Sequence, residues 1–165
     1  MTSAAAPSNI PPVLRPANPP GRALADLAAR AAQRTIGDLD GVTVTGITLA
    51  TGDLQPGDVF VGIHGVRRHG AEFAAEAAAK GAVAILTDEA GAEIVARAGL
   101  PILVTDDPRA RLADLASFVY GNDDDMPVML GVTGTNGKTS TVHLQDALLQ
   151  QLGVHSGMSS SARRH

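Results

Sequence analysis

The chain has 165 residues, of which 44% are apolar, 18% are charged and 2% are aromatic. Its formal net charge of −4 argues against nucleic acid as a partner, because binding to a phosphate backbone needs clustered lysine and arginine. The absence of cysteine excludes disulfides and thiolate metal sites, and no apolar run approaches the roughly 20 residues that cross a bilayer. This composition predicts a cytoplasmic protein without membrane insertion, with an α/β core of Ala, Val, Leu and Ile.

The N-terminal part of the chain changes character near residue 20. Residues 1–20 are rich in proline and lack the charged and apolar regions of a signal peptide, so they predict a disordered leader. Residues 22–34 predict an alanine-rich helix with Leu24 and Leu27 facing inward. Residues 42–49 alternate apolar and hydroxyl-bearing side chains, a pattern that is typical of a half-buried strand.

The next stretch predicts an alternation of strands and helices. Pro56 and Gly57 suit the central positions of a type II turn. The elements that follow are a strand over 59–63, a loop over 64–70, a helix over 71–80, a strand over 82–86, a helix over 89–98 and a strand over 101–104. This alternation predicts a small α/β domain over residues 21–105.

A second unit is expected over residues 106–165. It begins with a helix over 108–120, whose apolar face consists of Leu112, Leu115, Ala116 and Val119. The acidic run at 123–125 is interpreted as a solvated loop rather than a metal site. An apolar strand over 127–132 and a helix over 139–152 follow. Because a parallel sheet needs more strands than this, we expect the beginning of a larger nucleotide-binding domain, truncated at His165.

Between that strand and that helix lies a glycine-rich loop that is typical of phosphate binding. Glycines in it allow the backbone to approach the phosphates, so that N–H groups and the helix N-terminus face the anion. Lys138 adds a positive charge for the outer phosphates, and the hydroxyl of Thr139 suits Mg²⁺. The candidate nucleotide-binding residues are Gly134, Thr135, Asn136, Gly137, Lys138, Thr139 and Ser140, with Lys138 as the candidate catalytic residue and Thr139 as the candidate metal ligand.

The loop departs from the generic pattern G-x-x-x-x-G-K-[ST], because valine stands where that pattern requires glycine at position 132. The shorter form T-G-T-N-G-K-T-S, over residues 133–140, resembles the loop of the Mur ligase family. Members of this family are ATP-dependent enzymes that add amino acids to the peptidoglycan precursor. The resemblance implies ATP as the nucleotide and Mg²⁺ as its ion.

The preceding domain resembles the UDP-binding N-terminal domain of the same family. The matching segments are residues 44–49, 55–61, 65–70 and 79–86, followed by Tyr120-Gly121. Their order and spacing resemble those of the branch that adds the third residue of the stem peptide. The resemblance implies an ADP-forming ligase that joins a diamino acid to UDP-MurNAc-L-Ala-D-Glu through an acyl phosphate. It further implies a monomeric full-length enzyme that needs residues beyond 165 for activity.

The uridine site departs from the family pattern. The family's Asp-Ser-Arg segment, which lies against the uridine, corresponds here to residues 50–52, where Thr51 keeps a hydroxyl but the carboxylate and guanidinium are absent. The resemblance implies UDP contacts at Leu49, Thr51, Val66, Arg67 and Arg68. The arginine pair either supplies charge towards the diphosphate or forms a solvated loop. His64 and His69 are interpreted as polar loop residues rather than metal ligands.

Two alternatives stay open at this point. One is the ligase that acts next in the same pathway, which has a similar first domain and whose loop more often carries Ser at the position of Thr135. The other is a non-catalytic nucleotide-binding module. Sequence beyond residue 165 would separate them, because a ligase must continue into the rest of an ATPase sheet.

Overall fold

A computed structural model describes residues 15–16, 18–96, 98–123 and 127–160 of the protein. Most of the predicted leader lies outside these residues. The chain forms two compact units: one comprises Pro16–Pro127, and the described residues 128–160 belong to the other. Among the helices of the described residues, none is long and apolar enough to cross a membrane.

The larger unit is built on a five-stranded sheet with the order β2-β7-β6-β5-β4. Its strands, with the short antiparallel pair β1 and β3 beside them, are β1 Arg22–Ala23, β2 Arg34–Ile36, β3 Thr43–Val44, β4 Gly46–Thr48, β5 Asp58–Gly62, β6 Ala84–Thr87 and β7 Ile102–Val104. Strands β4 to β7 are parallel to their neighbours, and β2 runs antiparallel to β7 at one edge. The predicted α/β fold with a parallel sheet is confirmed.

Helices cover both faces of this sheet. They are α1 Leu24–Ala31, α2 Ala74–Ala79, which follows a 3-10 turn at Gly70–Phe73, α3 Glu89–Val95 and α4 Pro108–Tyr120. On one face, Val59 and Val61 of β5 share a buried cluster with Leu27 of α1 and Leu115 of α4. On the other face, Phe60 of the same strand packs with alanines of α2 and the segment before β6. Alternate residues of one strand therefore enter two cores, as a sheet buried on both faces requires.

Helix boundaries follow from side chains that cap them. Asp88 accepts a hydrogen bond from the Gly91 N–H at 2.7 Å and so caps the beginning of α3. Asp107 caps α4 in the same way through the Ala110 N–H at 2.9 Å. At its other end, α4 stops at Gly121, which has a positive φ of 75°.

The predicted type II turn is present before β5. The Asp58 N–H donates to the Gln55 carbonyl at 3.1 Å, and Gly57 has a φ of +92°. A Cβ at Gly57 would lie 2.3 Å from the Thr45 hydroxyl oxygen, so a side chain at this position would force the turn away from its neighbour. The turn therefore fixes the start of β5 against the chain segment that joins β3 to β4.

Two local predictions in the larger unit needed correction. The helix predicted over 22–34 ends at Ala31, because residues 34–36 pair with β7 as an edge strand. The single strand predicted over 42–49 is divided at Thr45 into β3, which pairs with β1, and β4, which pairs with β5. Both differences arise from pairing with distant strands.

The helix over 108–120 belongs to the larger unit, although the sequence suggested that it begins the second one. Leu115 and Val119 are fully buried in the same cluster as α1. The Arg22 side chain donates to the Phe118 carbonyl at 3.0 Å, and the Arg30 guanidinium lies 4.2 Å from the centre of the Phe118 ring. The division between the units therefore follows Pro127 rather than residue 105.

The acidic run after α4 is only partly described. The carboxylate of Asp123 lies 3.0 Å from the Arg30 guanidinium and accepts a hydrogen bond from the Ser117 hydroxyl at 2.6 Å. Residues 124–126 lie outside the described residues. At Asp123 the carboxylate therefore holds the end of α4 against α1 and is more than a solvated charge.

In the smaller unit, the predicted strand over 127–132 is not formed. Val128, Met129 and Leu130 are exposed to 89%, 79% and 63%, and within the described residues this segment pairs with no strand. An apolar run becomes a strand only when a neighbour supplies its hydrogen bonds. The helix predicted over 139–152 is present as α5, Lys138–Gln151.

The assignment of α4 to the larger unit makes Leu115 a test position. Leu115→Ala should destabilise this unit by about 2–5 kcal/mol, because a fully buried leucine leaves a cavity. The midpoint of urea unfolding, followed by circular dichroism, measures this change. Leu144→Ala is the matched control, since Leu144 is 72% exposed and its loss should change the midpoint little. An equal effect of both substitutions would contradict the packing of α4.

Candidate functional site

The phosphate loop has the backbone that its glycines predict. Residues 134–137 bend directly before α5, with φ values of +146° at Gly134 and +80° at Gly137. Residues with a Cβ rarely adopt these values, so glycine is needed at both positions. Nothing lies within 4 Å of a Cβ built at Gly137, so its requirement comes from the backbone and not from crowding.

The N-terminus of α5 is suited to an anion. Gly137 offers no side chain to cap the helix, and the first turn contains no acidic residue. The helix dipole therefore presents partial positive charge and N–H groups that a phosphate can accept from. The Lys138 ammonium folds back over the loop and donates to the carbonyls of Gly134 and Thr135. A bound phosphate would compete for this ammonium.

Two shallow pockets adjoin this loop, and Thr139 lines both of them. One, of about 270 Å³, is formed by residues 135–140. The other, of about 210 Å³, is lined by Val132, Lys138, Thr139, Val142, Ser159 and Ser160. Among the described residues no cluster of three or more His, Asp or Glu side chains could hold a metal ion. A single hydroxyl still fits Mg²⁺, which usually keeps several waters and takes other ligands from substrate phosphates.

A separate pocket lies at the carboxyl edge of the sheet in the larger unit. Because β4 and β5 are adjacent and parallel, the segments that follow them leave the sheet at the same edge. Ligands of open α/β sheets bind at such edges. The pocket has a volume of about 320 Å³ and is lined by Ile47, Thr48, Leu49, Ala50, Asp53, Leu112 and Ala116. Its walls are mainly apolar, and its polar lining residues are Thr48 and Asp53.

The structure brings only some of the predicted UDP-contact residues to this pocket. Leu49 lines it, whereas Thr51, Val66, Arg67 and Arg68 do not. The sequence did not predict Leu112 and Ala116 as pocket residues, because they reach the pocket only through the packing of α4. Their apolar spacing on α4 predicted burial but gave no signal of a pocket.

Thr51 is tied to helix α2. Its carbonyl accepts a hydrogen bond from the Lys80 ammonium at 2.8 Å, and Lys80 pairs with Glu76 at the same distance. Hydrogen bonds from Lys80 and from the Thr51 side chain hold the pKa of Glu76 below its ordinary value. The oppositely charged side chains of Lys80 and Glu76 therefore anchor the segment after β4 to α2.

The two arginines of the loop after β5 have different surroundings. Arg68 pairs with Glu72 at 2.7 Å, and its guanidinium lies 5.0 Å from the centre of the Phe73 ring. Hydrogen bonding from Arg68 lowers the pKa of Glu72. Val66 and Arg67 form the exposed tip of the loop. Since the charge of Arg68 is directed to Glu72, Arg67 is the better placed of the pair to meet an anion.

His69 proved to be more than a polar loop residue. Its side chain is only 7% exposed, and its Nε2 lies 3.0 Å from a carboxylate oxygen of Asp88. Burial alone would raise the pKa of Asp88, but hydrogen bonds from the Gly91 N–H and from His69 together hold it below its ordinary value. The distance of 19 residues between the partners left no local signal in the sequence.

Comparison with known proteins supports the family resemblance. A family model described as "Mur ligase family, catalytic domain" matches residues 43–120, which lie in the larger unit. A UDP-N-acetylmuramyl-tripeptide synthetase from Leifsonia xyli is 51% identical over 154 residues, covering 93% of this chain and 30% of that protein. The chain belongs to the Mur ligase family.

Other relatives extend this assignment. A UDP-N-acetylmuramoyl-L-alanyl-D-glutamate–2,6-diaminopimelate ligase from Streptomyces coelicolor is 46% identical, over 75% of this Mur ligase chain and 25% of its own length. Among solved structures, the MurF ligase of Thermotoga maritima in complex with ADP is similar with a TM-score of 0.52 and 29% identity, over 66% of this chain and 24% of that one. A MurF from Acinetobacter baumannii, at 21% identity and a TM-score of 0.62 over 81% of this chain and 28% of that one, shares the fold. The chain thus spans about a quarter to a third of the length of these Mur ligases.

The backbone requirement at Gly137 can be tested. Gly137→Ala should destabilise the first turn of α5 by about 1 kcal/mol, because alanine disfavours a positive φ. Faster hydrogen exchange of the Thr141 amide, which donates to the Gly137 carbonyl, would report this fraying. Gly131→Ala is the control, since that glycine has open space around it and no positive φ. Equal exchange rates in both variants would contradict the argument.

The lowered pKa of Asp88 predicts a pH dependence. A depressed pKa in the folded state stabilises the protein above the unfolded-state value, about 4 for aspartate, and this contribution is lost as the pH falls towards the folded-state value. Below about pH 4 the wild type should therefore lose stability more steeply than Asp88→Asn, whose amide keeps the helix cap without titrating. Urea midpoints between neutral and acidic pH measure the difference. Parallel curves for the two proteins would show that Asp88 does not contribute.

Proposed function

We propose that this chain provides the uridine-nucleotide-binding unit and the phosphate loop of a MurE-type ligase. Such an enzyme uses ATP to phosphorylate the terminal carboxylate of UDP-MurNAc-L-Ala-D-Glu, and the amine of a diamino acid then displaces the phosphate to form an amide. The observation that carries the proposal is the loop with positive φ at Gly134 and Gly137 before the uncapped N-terminus of α5. The Lys138 ammonium donates to a carbonyl of this loop. Because the reaction consumes ATP, we place it in the cytoplasm.

The larger unit is assigned the substrate's uridine end. We propose that the uracil ring enters the 320 Å³ pocket between Leu49 and the Leu112 side of α4, where apolar walls suit a flat base. The loop after β5 leaves the same sheet edge from the neighbouring strand and offers Arg67 to the diphosphate. Thr51, anchored on Lys80, fixes the chain segment between these two features.

The phosphate loop is assigned the ATP phosphates. Backbone N–H groups of residues 134–140 and the α5 dipole would hold the phosphate oxygens, and the Lys138 ammonium would leave the loop carbonyls for the outer phosphates. Within this chain, Thr139 would contact Mg²⁺ through its hydroxyl. When bound, that ion supplies positive charge for the phosphates. Lys138 then stabilises charge on the oxygens during phosphoryl transfer.

A MurE-type ligase is better supported than a MurF-type one. The relatives from Leifsonia xyli and Streptomyces coelicolor, at 51% and 46% identity, are ligases of the MurE type. Similarity to MurF comes from solved structures at 21–29% identity. The Streptomyces relative is a 2,6-diaminopimelate ligase, which makes this amino acid the first one to assay. A non-catalytic nucleotide-binding module has no turnover, so a catalytic requirement for Lys138 would exclude that alternative.

Separate nucleotide sites predict separate NMR responses in the 165-residue protein. UDP should shift the backbone amides of residues 49–51 and 66–68 together with those near Leu112, because these line or flank the pocket. ADP is the matched control, and it should shift amides of residues 134–140 instead. Shifts by UDP that are confined to the phosphate loop, or absent, would remove support for the uridine site.

The role of Lys138 predicts a kinetic effect. In an active ligase that contains this chain, Lys138→Ala should reduce turnover at least a hundredfold, roughly 3 kcal/mol, because the lost charge acts most strongly during phosphoryl transfer. Lys138→Arg keeps the charge but not the compact ammonium, so it should recover only part of the rate. Thermal unfolding should change little, since Lys138 is exposed. Near-normal turnover of the alanine variant would refute the assignment.

A further inference from the structure

His69 directly follows the loop of residues 64–68, and this loop follows β5. The loop is closed by hydrogen bonds from the Gly65 N–H to the Arg68 carbonyl at 3.0 Å and from the Gly70 N–H to the Ile63 carbonyl at 2.8 Å. Backbone bridging between His64 and His69 joins its two sides. The tip of the loop is exposed, with Val66 fully accessible to solvent. Its orientation therefore depends on the contacts at its base.

The His69 ring makes those contacts in three directions. Its Nδ1 accepts a hydrogen bond from the Ala71 N–H at 3.0 Å, and its Nε2 lies 3.0 Å and 3.3 Å from the two Asp88 carboxylate oxygens. It also makes a T-shaped contact with the His64 ring, with ring centres 5.7 Å apart and ring planes at 84°. A nitrogen that accepts an N–H carries no proton, so the proton of the neutral ring is on Nε2 and is donated to Asp88.

Asp88 is itself fixed to the body of the protein. One of its oxygens receives both the His69 hydrogen bond and the Gly91 N–H at the beginning of α3. Gly91 makes room for the ring, because a Cβ there would lie 2.7 Å from the His69 Cε1 and closer still to Thr87. A continuous path of hydrogen bonds thus connects the base of the loop, through His69 and Asp88, to the first turn of α3.

We propose that His69 is a positioning residue for nucleotide binding, whose hydrogen bond to Asp88 holds the 64–68 loop in the orientation that presents Val66 and Arg67 to a nucleoside diphosphate. This inference rests on the proposed function, because that proposal assigns the diphosphate to Arg67. His69 itself does not touch the nucleotide. The ring is buried behind the loop, and its effect passes through the backbone of residues 64–68.

Two substitutions at His69 separate the two hydrogen bonds. Asparagine places an acceptor near the position of Nδ1, so His69→Asn can keep the bond from Ala71 but loses Asp88. Glutamine reaches the position of Nε2, so His69→Gln can keep a donor to Asp88 but loses the bond from Ala71. Asp88→Ser removes the same link from the other side, while serine still caps α3.

The experiment is a titration of the 165-residue protein with UDP, followed through the amide shifts of Val66 and Arg67. His69→Asn and Asp88→Ser should each raise the dissociation constant about tenfold, since the lost hydrogen bond involves a charged group. His69→Gln should stay within about threefold of the wild type, and combining His69→Asn with Asp88→Ser should add little, because both remove one interaction. Thermal unfolding of each variant accompanies the titration.

The outcomes separate this inference from the function on which it rests. If the wild type does not bind UDP, both the proposed function and the positioning role are wrong. If the wild type binds UDP and His69→Asn binds equally well, the positioning role alone is overturned. The same conclusion holds if asparagine and glutamine weaken binding equally, because the ring would then act by filling space and not through Asp88.

Discussion

Burial of both faces of the parallel strands β4 to β7 is the constraint on which the larger unit depends. The chain meets it with few aromatic residues, so small side chains bring the layers close together. Ala71 lies so near β5 that a Cβ on Gly62 would be 2.8 Å from its backbone nitrogen. On the opposite face, Leu115 and Val119 of α4 close the cluster that α1 begins. Removal of α4 would expose the part of this face that α1 does not cover, which is why this helix belongs to the unit.

The same constraint determines where a ligand can bind. Once both faces are covered, the polar backbone of a parallel sheet is accessible only where its strands end. The parallel strands β4, β5, β6 and β7 are followed by loops that all lie at one edge of the sheet. The apolar pocket beside Leu49 and the Asp88–His69 pair both occur in these loops. Capping of α3 and α4 by Asp88 and Asp107 occurs there too, so helix starts and candidate binding groups share the edge.

Features encoded within a few residues could be predicted from the sequence. The turn at Gly57, the buried strands on either side of α2 and the glycines of the phosphate loop each depend on local backbone preferences or on alternation. Features that depend on distant partners could not be predicted. Strand β2 is exposed at every position and exists because β7 pairs with it. Residues 127–132 have the composition of a buried strand, but no described neighbour supplies the ladder.

The same difference between local and distant determinants applies to the residues of the candidate site. Lys138 and Thr139 were identified because their spacing from the glycines reflects one loop and one helix end. Leu112 and Ala116 became pocket residues only through the packing of α4, and the role of His69 depends on an aspartate 19 residues away. Arg68 shows the opposite case, since its neighbour Glu72 one turn along the chain takes up a charge that the sequence left available for a ligand.

The phenol of Tyr120 lies at the end of α4, with its oxygen 3.5 Å from the backbone nitrogen of Ile47, which lines the 320 Å³ pocket. The sequence contains one tyrosine and no tryptophan. When this 165-residue chain is excited at wavelengths longer than phenylalanine absorbs, its near-ultraviolet emission therefore originates from this single ring. The chain carries a built-in optical reporter beside its candidate binding pocket, which makes occupancy of that pocket observable without a label.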